Sequence, residues 1–275
     1  MSILTSELRL KTAWPEVASG NEFRWSDRFG PCRRPDRRPV GYQVLSDLLF
    51  AHWRVRVELL RPLIPLELEI DTFNGEAWLG LVTFHMSGVR PGWFPAMPFV
   101  SEFHETNIRT YVHFEGHDPG VWFLSLDAAR RIAVEVSRWN WHLPYFHAEM
   151  DLRRDGGEVR YSSRRIDHRS PLRVDVDISA RIVERLNPEP GKSVEPGTLE
   201  YFLAEGYLLY ANDRSGRLLR GRVHHSPYPL RSAEVVSCRQ TLAAAAEVPV
   251  SGQPDHALFC EGVTVDIFPL RCVSL

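Results

Sequence analysis

Lysine is nearly missing from this 275-residue chain: Lys11 and Lys192 are the only two. Positive charge is carried almost entirely by arginine. Cysteine is scarce too. Cys32, Cys238, Cys260 and Cys272 are far apart with no C-x-x-C pair, which excludes a zinc framework and a dense disulfide scaffold. Free thiols in a reducing cytoplasm are the simplest expectation. No apolar run approaches the ~18 residues of a membrane span. The start, MSILTSELRLKTAWP, lacks the apolar stretch of a secretory signal, so the expected location is cytoplasmic, with no membrane partner. A net charge of −2 argues against nucleic acid as the main partner. The basic run RRPDRR (33–38) is short and broken by Pro35 and Asp36; it reads as a solvated loop in preference to a phosphate-binding arm. There is no G-x-G-x-x-G, H-E-x-x-H or G-x-S-x-G, and GKS (191–193) lacks the upstream glycine of a phosphate loop. These absences weigh against nucleotide-dependent, zincin and α/β-hydrolase chemistry.

What the chain does have is strand pattern. Residues 1–40 are polar, end in a Pro/Arg-rich run and read as an arm or irregular entry; 41–275 read as one domain. A chain this long buries roughly three quarters of its unfolded surface and needs no disulfide or metal to hold a core. YQVLSDLLFAHWRV (42–55) reads as a buried strand, and VELLRPLI (57–64) as a short helix that stops at its prolines. Asn74-Gly75, between apolar runs, predicts a hairpin, because both residues tolerate positive φ. Further hairpins are expected around Gly116–Gly120, Asp155-Gly156-Gly157 and Ser215-Gly216. The best helix candidate is 128–140, with Ala129, Ile132, Ala133 and Val136 at helical spacing; 198–205 is a shorter one. Ten or so strands with two or three short helices, and no β-α alternation, predict a mainly-β α+β fold. An antiparallel or mixed sheet of that kind hides its edges best by curling into a closed barrel.

Several blocks resemble a known family in order: FAHWRVRVELLRPLIPLELEIDTFNGEAWLGLVTFHM, HETNIRTYV with GVWFLSLDA, LPYFHAEM, and YLLYANDRSGRLLRGRVHHSPYPLRSAEV. From about Phe50 onward the chain resembles the YqjF-like family of the acetoacetate decarboxylase-like superfamily. The resemblance implies a cone-like closed β-barrel with short outer helices and an internal ligand pocket; it implies no particular reaction. FHE (103–105) matches the decarboxylases' Y-x-E, which gives Glu105 the place of a pocket carboxylate. Asp127, Ile132, Ala133, Leu143 and Pro144 follow their next motif loosely. The catalytic lysine pair then falls on Tyr145 and Phe146. Tyrosine cannot condense with a ketone to an imine, so acetoacetate decarboxylation by that route is excluded. The other acidic site residue falls near Val82 and the pocket arginine near Ser46.

The residues themselves nominate a site. In HETNIRTY, Glu105, Asn107 and Arg109 share one face of a strand, with His104, Thr106 and Ile108 on the other. That face either meets a ligand or satisfies itself as an internal Glu-Arg pair. Arg109 is suited to grip a carboxylate bidentately. Glu105 becomes a general base if burial raises its pKa. Tyr145 either donates to a ligand oxygen or fills space, with Phe146 beside it as a lining residue. His224 and His225 are adjacent on a strand, so they face opposite sides and cannot readily share a metal; one of them faces the pocket, or a turn. His85, His104, His142, His147 and His224 show no metal-ligand spacing, so no metal is expected. Nor does any pattern require a cofactor. Trp78, Trp93, Trp122, Trp139 and Trp141 form an aromatic-rich middle, either core or pocket wall, with Trp122 the pick for ligand contact. The expected partner is a small molecule; homo-oligomerisation is left open. Two readings result. One is a lyase- or isomerase-like enzyme acting on a carbonyl or carboxylate compound through Glu105, Arg109 and Tyr145, without a Schiff base. The alternative is a non-catalytic binder of an apolar or amphipathic small molecule.

Overall fold

The computed structural model describes residues 25–93, 95 and 101–273. Its elements run α1 (Trp25–Cys32), β1 (Gly41–Val55), α2 (Val57–Leu60) continuing into a 3-10 turn (Arg61–Leu63), β2 (Leu68–Ile70), β3 (Ala77–Pro91), β4 (Phe103–Phe114) and β5 (His117–Ala128). There follow α3 (Arg131–Asn140), β6 (Tyr145–Asp155), β7 (Glu158–Arg165), β8 (Asp175–Arg185), α4 (Leu199–Ala204), β9 (Leu208–Asn212), β10 (Leu218–His225), β11 (Leu230–Gln240), α5 (Leu242–Ala245) and β12 (His256–Cys272). The fold is mainly β with short helices, as the patterning predicts. The first 24 residues of the expected N-terminal arm lie outside the described residues.

All twelve strands belong to one sheet, in the order β10-β9-β5-β6-β7-β8-β11-β12-β1-β3-β4-β2. The β4–β5 pairing closes β5-β6-β7-β8-β11-β12-β1-β3-β4 into a ring of nine strands. A second closure, β10–β12, brings β9 and β10 across. Pairing is antiparallel except where β5 meets β6 and β9, so the sheet is mixed.

Turn chemistry sets the hairpins, with one exception. At the β4–β5 reversal Glu115 and Gly116 both take positive φ, 48° and 72°, as a two-residue hairpin turn demands. This turn is tighter than the expected 116–120 loop, because β5 already starts at His117. Asn74 and Gly75 also take positive φ, 51° and 79°. Their expected hairpin shrinks to the single bridge Phe73–Glu76, because β2 pairs with β4 instead of β3.

Both faces of β1 over residues 48–53 and of β3 over residues 77–84 are buried, which is why these stretches are mostly apolar without alternation. Alternate residues feed two separate cores. Leu48, Phe50, Val82 and Phe84 point into one. Leu49, Ala51, Trp53 and Leu81 point into the other, where they meet Val176, Ile178, Ala180 and Phe259. Each buried Val, Leu, Ile or Phe among them contributes about 1.5–3 kcal/mol by leaving water. Trp93 and Trp139, expected among core or pocket aromatics, are instead exposed; Trp78 is buried. The helix α1 is fastened by a buried ion pair from Arg28 to Asp71, 2.6 Å.

Candidate functional site

Strand β4 positions the centre of the site. Thr106 and Ile108 suit a pleated strand and turn to one side, and Ile108 enters the second core. Glu105, Asn107 and Arg109 turn to the other side and line an internal cavity of about 260 Å³. Its walls are otherwise apolar, with Phe50, Val82, Phe84, Leu126 and Val265 among them. Tyr145 enters from β6. Pro144 precedes it, and the Pro144 carbonyl accepts from Leu126 N, so the chain leaves α3 and joins β5 in parallel register, Tyr145 opposite Leu126.

Tyr145 donates its hydroxyl hydrogen to Glu105 Oε2 at 2.8 Å. Asn107 Nδ2 donates to Glu105 Oε1 at 3.4 Å. Glu105 is only 3 % exposed. Burial pushes its carboxyl up to about 7, against the opposing pull of the Tyr145 and Asn107 hydrogen bonds and of Arg109. Burial and the neighbouring Glu105 hold the Tyr145 hydroxyl far above its ordinary range, so it stays a donor. Asn107 Oδ1 and Arg109 Nε are buried without a hydrogen-bond partner. The Arg109 guanidinium lies 5.7 Å over the Phe50 ring and 5.9 Å over that of Tyr111.

His225 lines the same cavity from the end of β10. Its Nδ1 donates to the Ser226 carbonyl, 2.8 Å, and its Nε2 has no partner. It lies between Tyr207, stacked at 4.4 Å, and Tyr228 at 4.3 Å. Burial lowers its pKa to about 4, so the ring is neutral near pH 7. Tyr228 also lines the cavity. Behind it sits Glu205, which accepts from Tyr207 Oη at 2.7 Å and from Tyr228 N at 3.1 Å. Burial raises Glu205 to about 7 as well.

Five of the nominated residues therefore come together: Glu105, Asn107, Arg109, Tyr145 and His225. Three do not. Phe146 follows Tyr145 on a strand and so turns to the opposite face, where its ring lies 3.9 Å from the Arg165 guanidinium. His224 is turned away from the cavity by the same alternation. Trp122 faces an outer cleft of about 890 Å³ together with Trp139, His142 and Asp213. That cleft is open to solvent, and two of its carboxylates are paired, Asp213 with Arg217 and Glu135 with Arg169. Phe123 and Leu143 line both spaces and form the wall between them. Asp127 is buried but serves structure, gripped by Arg165 Nε at 2.8 Å. Val82 lines the cavity and Ser46 does not; the guanidinium there comes from Arg109. Tyr228 and Glu205 were missed. A tyrosine held between Pro227 and Pro229, and a carboxylate following the apolar YFLA run before Gly206, were the available signals. Among the described residues no group of three His, Cys, Asp or Glu side chains is arranged to hold a metal.

The DUF2071 family, described as an uncharacterized conserved protein, matches residues 42–264. The uncharacterized protein YqjF of Bacillus subtilis (strain 168) is 35 % identical over 237 residues, 86 % of this chain and 94 % of that protein. The chain belongs to the YqjF-like DUF2071 family. Two solved structures show its fold with other sequences on it. The enduracididine biosynthesis enzyme MppR complexed with pyruvate superposes with a TM-score of 0.60 at 15 % identity, covering 87 % of this chain and 92 % of that one. Acetoacetate decarboxylase from Legionella pneumophila subsp. pneumophila str. Philadelphia 1 superposes with a TM-score of 0.58 at 11 % identity, covering 94 % and 98 %. At such identities the likeness is one of fold, so this YqjF-like chain has an acetoacetate decarboxylase-like architecture whose chemistry must be argued from its own cavity.

Proposed function

We propose that this family member is an enzyme that moves a proton on a small carbonyl- or carboxylate-bearing molecule held in the inner cavity, without an imine. The observation that carries the reading is the Tyr145–Glu105–Asn107 hydrogen-bonded group opening onto a mostly apolar cavity beside Arg109. The cavity lies just below the ~300 Å³ at which drug-sized sites begin, so it suits a compact metabolite. Arg109 offers charge-assisted hydrogen bonds to a carboxylate or to a developing enolate oxygen. Glu105, ionised above about pH 7, accepts a proton from the carbon beside the carbonyl. Tyr145 holds the carboxylate in place and keeps it ionised at lower pH than burial alone allows. Lys192 is exposed in the 188–197 loop and has no part in this scheme. That MppR was captured with pyruvate supports a small oxygenated ligand in this architecture.

The decisive experiment is solvent-deuterium exchange into a panel of short oxo acids, beginning with pyruvate, followed by proton NMR. The chain should accelerate exchange for at least one of them. Glu105→Gln should slow it by about 100-fold or more while thermal-shift affinity for the same acid is retained. Borohydride treatment should leave no adduct on Lys192, and a trapped lysine would overturn the scheme. The predominance of apolar wall favours one second reading, a non-catalytic binder of an apolar or amphipathic molecule. Saturable binding with no exchange by the unaltered chain selects it.

A further inference from the structure

On the far side of Leu208 from the inner cavity lies a second, separate cleft of about 310 Å³, lined by Arg37, Arg220, Arg222, Arg271 and a single acid, Asp118. In a chain whose net charge is −2, four guanidinium groups facing one carboxylate are a local excess of positive charge. Cross-strand register explains the gathering. Arg220 on β10 stands opposite Arg271 on β12, and Arg222, two residues on, returns to the same face. Arg37 is supplied by the RRPDRR run.

Internal pairing leaves most of this charge unanswered. Asp118 is engaged by Arg220. Arg222 spends one nitrogen, Nη2, on the carbonyls of Gly30 (3.0 Å), Pro31 (2.9 Å) and Arg33. Its Nε is buried with no partner. Burial, and Arg220 alongside, push this guanidinium below its ordinary value. Arg37 and Arg271 are exposed and have no ion pair among the described residues. Phe268, Pro31, Pro35 and Leu208 supply the apolar wall.

We infer that this cleft is a binding site for a small phosphate-bearing anion, held by the exposed guanidinium groups of Arg37 and Arg271, with the charge of Arg222 behind them. Planar guanidinium forks match the oxygens of phosphate two at a time, and several arginines converging on one concavity are suited to a dianion or trianion. Arg222 does double duty. It fastens the 30–33 segment to β10 and adds its positive charge to the cleft wall. The site therefore spans the junction of the N-terminal segment with β10 and β12, so occupancy should also fasten that segment. None of its polar groups belongs to the inner cavity, so the inference stands independently of the oxo-acid reading.

The test is isothermal titration calorimetry of the full chain with pyrophosphate at constant ionic strength, with citrate as a carboxylate polyanion. Pyrophosphate should bind saturably at one site. The double substitution Arg37→Gln, Arg271→Gln alters only exposed side chains and should keep the native melting temperature. It should weaken pyrophosphate by about tenfold or more, as loss of charge-assisted hydrogen bonds implies. No saturable pyrophosphate heat from the unaltered chain overturns the inference. So does undiminished binding by the double variant, and so does citrate bound as tightly as pyrophosphate.

Discussion

The two cores share the strands β1 and β3 but are built to opposite ends. The one around Leu49, Leu81, Ile178 and Phe259 is filled with aliphatic and aromatic side chains. The one around Leu48, Phe50, Val82 and Leu126 surrounds a cavity of about 260 Å³ and contains Glu105, Asn107 and Arg109 with incomplete hydrogen bonding. A one-residue step along β1 or β3 therefore moves a side chain from packing to site. The solid side supplies stability, while the hollow side gives up dispersion contacts and leaves buried polar atoms short of partners.

Matched truncations test that division directly. Leu81→Ala, on the solid side, should destabilise toward the top of the ~2–5 kcal/mol range for such changes. Leu126→Ala, at the cavity wall, should fall near the bottom of that range, since fewer atoms surround it. Urea denaturation of both variants measures the difference; equal losses would erase the distinction drawn between the cores.

The pH dependence of stability sharpens it further. Glu105 has an ordinary pKa of 4.5 and a folded value of about 7. Between these values the folded chain binds more protons than the unfolded one, so stability falls as pH rises through this window and the penalty is complete above about pH 7. Glu105→Gln removes that penalty. The drop in unfolding free energy from pH 4.5 to 8 should shrink by about 3 kcal/mol relative to the unaltered chain. Glu205, which is also raised to about 7, and Asp127, raised to about 6, should leave a residual fall in the same direction. The smallest effect concerns Tyr145. Its hydrogen bond lowers the Glu105 pKa, so Tyr145→Phe should move the Glu105 midpoint upward by about one unit. Carbon-13 NMR of labelled glutamate reads this; an unmoved midpoint would show that the 2.8 Å contact carries little weight.

How much of this was legible in the sequence divides along the same physical lines. Period-2 alternation placed Glu105, Asn107 and Arg109 on one face correctly, because within a single strand facing depends only on parity. The strands themselves and most hairpin turns followed from local chemistry. What failed was parity across a boundary. Nothing local says which of Tyr145 and Phe146, or of His224 and His225, turns inward, since that depends on where each strand joins its neighbour. Trp122 was misread for a related reason: the register against β4 slips between Ile108 and Arg109, so facing is not inherited along the pair. The β4–β5 and β10–β12 closures join a mixed sheet whose partners are set by packing of the whole ring. So the inward facing of Tyr228, carried in by the chain after β10, had only the flanking Pro227 and Pro229 to mark it. The lysine place, by contrast, was assigned through family resemblance alone; no periodicity marks Tyr145 as special.

The ends of the sheet order have a consequence of their own. One end is β10, which is covered by β12; the other is β2, three residues long, with Glu69 at its centre. Among the described residues, neither end of the twelve-strand order thus offers a stray peptide a long open rim on which to add. Closing both ends in this way limits the addition of other chains there, which matters because central strands such as β3 are strongly apolar.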